Sequence, residues 1–241
     1  MKVRLSLIEL MFISMKIISF CLFGKKEMYL RGAIKNAELA SQIYPGWQTI
    51  FYCGDQVPQQ IIDKLTRFGA HTVKVSINDH RLMSYRFLPI SQPETEVLLT
   101  RDCDSRLNLR EKECVDEFLQ SDKIAYTCLD HCYHGGVPIL GGNSGFKKEA
   151  FTIAEKDIES INAEYNSDQL WLQNHVWPLI NDKTLVFDCL GRNEFTKTVP
   201  FPSRRPIDGS FVGEVFDEND TPNYSHRKIL ALTESKIFKL Q

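Results

Sequence analysis

Glu96-Val-Leu-Leu-Thr-Arg-Asp-Cys-Asp-Ser-Arg106 is the stretch from which the rest of the chain is read. Val97, Leu98 and Leu99 form a short apolar run, and Thr100 extends its β-propensity. A run this short and apolar reads as a buried central strand. It ends abruptly in Arg101, Asp102, Asp104 and Arg106. Two carboxylates at i and i+2, just past a buried strand, are costly to bury unless a cation meets them. In an open α/β sheet, ligands bind at the carboxyl ends of the strands. A hard divalent ion, Mg²⁺ or Mn²⁺, takes carboxylate oxygens and completes its shell with water and phosphate. Arginines match phosphate oxygens in a fork. The plainer alternative is that Asp102 and Asp104 open a solvated turn.

The pattern around this stretch is alternating. Strands are predicted at 16–23, 47–53, 72–77, 97–100, 124–129 and 185–189. Helices are predicted at 29–43, 58–68, 81–90, 108–119, 148–158 and 168–180. Strand and helix alternate over residues 16–125, which implies a parallel or mostly parallel sheet covered on both faces. Beyond the acidic motif the pattern is mixed. Ile139 to Phe146 is glycine-rich and is expected to run as a turn into the helix at 148–158. After Gly191 the chain reads as loop, with at most a short helix at 227–232.

The 241 residues suffice for one large domain. Hydrophobic residues make up 43% and charged residues 25%, as in an ordinary globular protein. A net charge of −2 gives no reason to expect a nucleic-acid partner. The seven cysteines are odd in number and scattered, which suits reduced thiols in a cytoplasmic protein. Residues 1–23 faintly resemble a signal sequence, but Glu9 and Lys16 interrupt the apolar run, so no membrane span is expected. Met15 is read as the start of the domain, with residues 1–14 an extension.

Further candidates for chemistry follow the next strand. Asp130, His131 and His134 belong to the same sheet edge as the acidic motif; a histidine there completes a metal shell, a carboxylate serves as a base, or the loop is simply polar. The spacing of Cys128, His131, Cys132 and His134 does not match a zinc site. Gly141-Gly142-Asn143-Ser144-Gly145 lacks the Lys and Ser/Thr of a P-loop and leaves close backbone approach to a bulky group such as a sugar, or a plain turn. Asp168 follows Asn166-Ser167 at a predicted helix start, either as part of a cap or as a carboxylate facing a cleft. Trp171 and Trp177 read as core.

Together, Phe20-Cys-Leu-Phe-Gly24, Gly32 to Ala40 with Tyr44-Pro45, Tyr85-Arg-Phe-Leu-Pro89, Arg101 to Arg106, Asp130-His131 with His134, Gly141-Gly142 and Asp168-Gln169 resemble the GT-A nucleotide-sugar glycosyltransferases. They are most similar to the small Asp-x-Asp enzymes of chlorella viruses and bacteria. The resemblance spans roughly residues 16–190 and implies a single α/β domain of GT-A fold over 15–190, with a mixed, mostly parallel sheet flanked by helices. The tail, 191–241, would pack on it or remain partly flexible. The resemblance also implies a nucleoside-diphosphate-sugar donor, a glycan or other hydroxyl acceptor, and Mn²⁺ or Mg²⁺. Asp104 would bind the metal, with His134 as a further ligand. Asp102 would contact the ribose or the metal. Phe20, Cys21, Phe23 and Gly24 would border the nucleoside. Arg86 and Arg101 would lie near the phosphates, and Gly142 near the donor sugar. Asp168 and Asp130 are the two candidates for a catalytic base. Gly141-Gly-Asn-Ser-Gly145 departs from the Gly-Gly-Met-Trp-Gly of some relatives. Two alternatives stand beside this reading: a haloacid-dehalogenase-like phosphatase, in which Asp-x-Asp sits on the first strand, and a sugar-nucleotide-binding module without turnover.

Overall fold

The computed structural model describes residues 14–191 and 193–238; the expected N-terminal extension lies almost wholly outside the described residues. Seven strands form one sheet in the order β3-β2-β1-β4-β6-β5-β7. The chain enters through β1 (Met15–Leu22), passes over α1 (Glu27–Ile43) to β2 (Gln48–Gly54), and over α2 (Gln59–Arg67) to β3 (His71–Val75). A 3-10 segment, His80–Ser91, leads to β4 (Thr95–Arg101). β1 pairs in parallel with β2 on one side and with β4 on the other, matching Ile18 to Leu99 and Phe20 to Arg101. This half is the parallel sheet that the alternation of residues 16–125 implies.

After β4 come α3 (Leu109–Gln120), β5 (Ala125–Leu129) and β6 (Asn143–Lys147). β6 runs antiparallel between β4 and β5. The glycine-rich passage is therefore a central strand, and the helix expected at 148–158 shrinks to α4 (Glu155–Glu159). Gly145 explains how: a Cβ there would lie 2.4 Å from the Tyr126 ring and 2.6 Å from Leu99. Only a residue without a side chain lets those two groups close over β6. The helix expected at 168–180 is α5 (Ser167–Trp171), a π turn at Leu172–Val176, and α6 (Trp177–Ile180). The irregularity sits ahead of Pro178, which starts α6 rather than breaking a helix. β7 (Thr184–Asp188) pairs in parallel with β5. The tail carries a helix longer than expected, α7 (Tyr224–Phe238).

The alternation of each strand divides the core between two faces. Ile18, Phe20, Leu22, Val97, Leu99 and Phe51 pack against α1, α2 and α3. Ile17, Cys21, Leu98, Ile50 and Tyr52 pack against the 3-10 segment and against Leu172, Val176 and Trp177. Burying each large aliphatic or aromatic side chain contributes roughly 1.5–3 kcal/mol. All seven cysteines carry free thiols, five of them buried. Among the described residues, no helix is long and apolar enough to cross a membrane.

Candidate functional site

The carboxyl ends of β1 and β4 open into a cleft of about 750 Å³. Its lining includes Cys21, Phe23, Arg86, Asp102, Asp104, His134, Gly142 and Asp168, so eight of the expected site residues meet there. The loop after β4 is held from below. Cys103 Sγ donates to Cys21 O at 3.2 Å, and Asn36 of α1 donates to Ser105 O at 2.8 Å while accepting from Leu107 N–H at 3.0 Å. Those bonds fix the backbone and leave Asp102 and Asp104 directed at the cleft.

Arg86 organises the centre. Its side chain is 4% exposed; one guanidinium nitrogen donates to Asp102 Oδ1 at 2.5 Å and another to Asp168 Oδ2. Two carboxylates, one just after β4 and one in α5, thus share one buried cation. Gly142 permits the arrangement, because a Cβ there would stand 1.8 Å from Asp102 Oδ2. Gln169 locks the same wall: its amide donates to Ile139 O at 2.7 Å and its carbonyl accepts from Gly141 N–H at 2.9 Å. Asn166, before α5, takes a left-handed φ of 66°, a strained conformation for a non-glycine residue. It presents Tyr165 at the mouth, where Tyr165 packs against His80, which in turn packs against Phe23.

Asp104 is the carboxylate left without an arginine of this kind. Burial and then the charge of Asp102 push its pKa up to about 6. A pair of acids with unbalanced negative charge, all-oxygen donors and room for water suits a hard dication. Asp102 and Asp104 therefore fit Mn²⁺ or Mg²⁺ as a two-carboxylate set. His134 does not extend that set: among the described residues, no three His, Cys, Asp or Glu side chains come together as a metal-binding group. His134 Nδ1 accepts from Asp130 N–H at 3.2 Å, which puts the proton of the neutral ring on Nε2. Burial, then neighbouring His131, lowers its pKa to about 4, so the ring is neutral near pH 7.

Four expected residues lie outside the cleft lining. Phe20 is fully buried and stacks on Phe51 at 4.6 Å. Gly24 makes the turn after β1 at φ +73°. Arg101, expected at the phosphates, points into the sheet. It pairs with Glu111 of α3 and donates to Tyr126 Oη at 2.5 Å and Ser144 O at 2.6 Å. Asp130 is fully buried: its oxygens accept from Arg110 at 2.8 and 3.0 Å, from Arg205 at 2.9 Å and from Val212 N–H at 3.0 Å. Every one of those donors holds it away from a substrate proton, so it is a structural anchor and not a base.

Anchored in this way, the tail returns to the cleft. Gly213 and Val215 line it, and Phe216 N–H donates to Asp104 O at 2.9 Å. Arg227 of the tail is paired with Glu214 and Asp208. The sequence reading missed the lining roles of Tyr133, Tyr165 and Gln169 and the clamp by Asn36. For Gln169 a signal existed, its adjacency to Asp168; for the other three only the folded chain brings them to the site.

No protein-family model matches the chain, and no curated protein matches it. Solved structures do. The glucosyl-3-phosphoglycerate synthase of M. tuberculosis aligns over 81% of this chain and 74% of its own, at 10% identity and a TM-score of 0.50. The fold is GT-A. A glycosyltransferase involved in glycosylation of the major capsid of PBCV-1 aligns over 73% of this chain and 82% of its own, at 21% identity and a TM-score of 0.49. The mannosyltransferase PcManGT from Pyrobaculum calidifontis, in complex with GDP-Man and Mn²⁺, aligns over 78% and 57%, at 11% identity and 0.46. At these identities the likeness is one of fold. In this GT-A chain, the acidic motif stands at the end of the central strand, where the sheet offers its ligand edge.

Proposed function

We propose that the chain is a glycosyltransferase that moves a sugar from a nucleoside-diphosphate sugar to an acceptor hydroxyl with the help of Mn²⁺ or Mg²⁺. The observation that carries this reading is the cluster at the end of β4: Asp102, Asp104, Arg86 and Asp168 around one cleft. Asp104 and Asp102 would hold the metal, which when bound would supply Lewis-acid stabilisation of the leaving diphosphate. Cys21 and Phe23 border the nucleoside. Arg86 fixes Asp102 and Asp168 relative to each other, which is the pre-organisation that group transfer requires. Asp168 is the carboxylate at the reacting centre: in an inverting reaction it takes the acceptor proton, and in a retaining one it positions the sugar. The binding-module alternative keeps the same site and lacks only turnover.

A thermal-shift panel of UDP-, GDP-, dTDP- and CMP-sugars, with and without Mn²⁺, tests the site on wild type and Asp104→Ala. Ligand at a hundred times its dissociation constant should add about 2.7 kcal/mol. Metal-dependent stabilisation by one nucleotide class, lost in the variant, supports the donor site; no shift with any of them removes it. Release of nucleoside diphosphate in the presence of acceptor, abolished by Asp168→Asn, distinguishes an enzyme from a binding module.

A further inference from the structure

The walls of the cleft differ in charge. Lys25, Lys26, Asp102 and Asp104 follow β1 and β4, and the paired Arg86 and Asp168 lie between them and Gly141. The wall after β5 is made of Tyr133, His134, Val137 and Leu140 and, with His134 neutral, carries no formal charge. A diphosphate and its cation belong on the first wall; the second suits an uncharged, hydroxyl-rich molecule.

Tyr133 has the features of a platform. Its side chain stands in the cleft on a single 3-10 turn, Cys132–His134, and the residue is 63% exposed. The ring is braced by His131, with centroids 4.8 Å apart, and by the edge of His226 at 5.5 Å and 88°. His131 in turn stacks on Phe211 of the tail at 4.6 Å. An exposed aromatic ring held this firmly loses little entropy when a flat apolar face settles on it. Next to it, the bond from Asp130 N–H to His134 Nδ1 leaves His134 Nε2–H as a neutral, directional donor. An aromatic face beside a single neutral donor is the pairing that binds a sugar ring, whose C–H face is apolar and whose rim is hydroxyl.

We propose that the acceptor is a saccharide, bound with its ring on Tyr133 and one of its oxygens accepting from His134 Nε2–H. This rests on the glycosyltransferase reading and names the acceptor class and its subsite.

The test uses the full chain and a panel of methyl glycosides of glucose, galactose, mannose, xylose and rhamnose as probes. Binding is followed by saturation-transfer NMR in the presence of Mn²⁺ and a nucleoside diphosphate. Tyr133→Ala removes the platform at an exposed position, so folding is preserved, and Tyr133→Phe keeps the ring. At least one glycoside is expected to bind wild type, to bind Tyr133→Ala about tenfold more weakly, and to bind Tyr133→Phe within twofold of wild type. Nucleotide-dependent stabilisation should be unchanged in all three. Equal binding to wild type and Tyr133→Ala, or no glycoside signal while nucleotide stabilisation is intact, overturns the subsite and leaves the donor reading standing. Loss of nucleotide stabilisation in the wild type overturns both.

Discussion

On one side of β4, β1, β2 and β3 run parallel and are clamped between two apolar layers. On the other side, β6, β5 and β7 are of mixed direction, and the tail is tied to them at Asp130, which pairs with Arg205 of the tail and Arg110 of α3 and accepts from Val212 N–H, while Glu214 pairs with Arg227 inside the tail. The first half is held by many small, interchangeable contacts. The second converges on a few polar atoms, and each of those is hard to replace once its partner is buried.

The two halves should therefore differ in where a loss is felt, and both losses are large. Asp130→Ala strands two arginines and the Val212 N–H, and removing one partner of a buried pair costs about 3–5 kcal/mol. Leu98→Ala, in the parallel half, is expected to cost about 2–5 kcal/mol through its cavity. Magnitude alone does not separate the two, but location does. Hydrogen exchange should rise across residues 203–215 in Asp130→Ala and not in Leu98→Ala. A urea titration showing less than 1 kcal/mol for Asp130→Ala, with unchanged exchange in the tail, would remove the anchor role.

The next effect separates stability from binding. Asp104 has a native pKa of about 6, above its ordinary value, so the folded chain holds a proton there that the unfolded chain has already released. That costs stability as pH rises through this range, and the whole cost is present above pH 6. Asp104→Asn should make the ligand-free protein more stable at pH 7, on the order of 1 kcal/mol, while abolishing Mn²⁺-dependent stabilisation by nucleotide. A variant that loses stability without ligand contradicts the reading of an unbalanced acid pair.

Gly142→Ala should be milder in energy but specific in outcome. The new methyl collides with Asp102 Oδ2, and overpacking of this kind costs about 1–3 kcal/mol. Asp102 swings away, so nucleotide affinity should fall more than tenfold by calorimetry. Unchanged affinity would show that Asp102 relaxes freely.

The same contrast explains what could be read from the sequence. Residues 16–125 alternate because the central parallel strands β1, β2 and β4 are buried on both faces and the helices α1, α2 and α3 each turn an apolar side to the sheet; local periodicity is therefore the fold. Asp102, Asp104 and Asp168 were legible because carboxylates next to an apolar strand or at a helix start have few cheap explanations. β6 was not, since Asn143-Ser-Gly-Phe-Lys147 has turn-like composition and becomes a strand only because Tyr126 and Leu99 close over Gly145. Nor was Asp130, whose partners Arg205 and Val212 lie 75 and 82 residues away. An acid after a strand looks the same in sequence whether a substrate or an arginine awaits it; long-range pairing decides.

The two walls of the cleft should also respond to acid in opposite senses. His134 titrates near pH 4 in the folded chain and near 6.5 when unfolded, chiefly through burial and then through His131. The folded state thus binds fewer protons between these values, and stability is lost as pH falls from 6.5 towards 4, by up to about 1.4 kcal/mol per pH unit. His131, also lowered by burial, adds to the loss, whereas Asp104 works against it over the overlapping range. Total stability against pH therefore does not isolate any one group; the difference between wild type and His134→Gln does, since glutamine can still accept from Asp130 N–H but does not titrate. Urea midpoints of the pair should run parallel above pH 7 and diverge below 6.5, with wild type falling faster. Midpoints that stay parallel down to pH 4.5 would mean that His134 is solvated and charged on folding, and a charged ring on that wall leaves no neutral donor beside Tyr133.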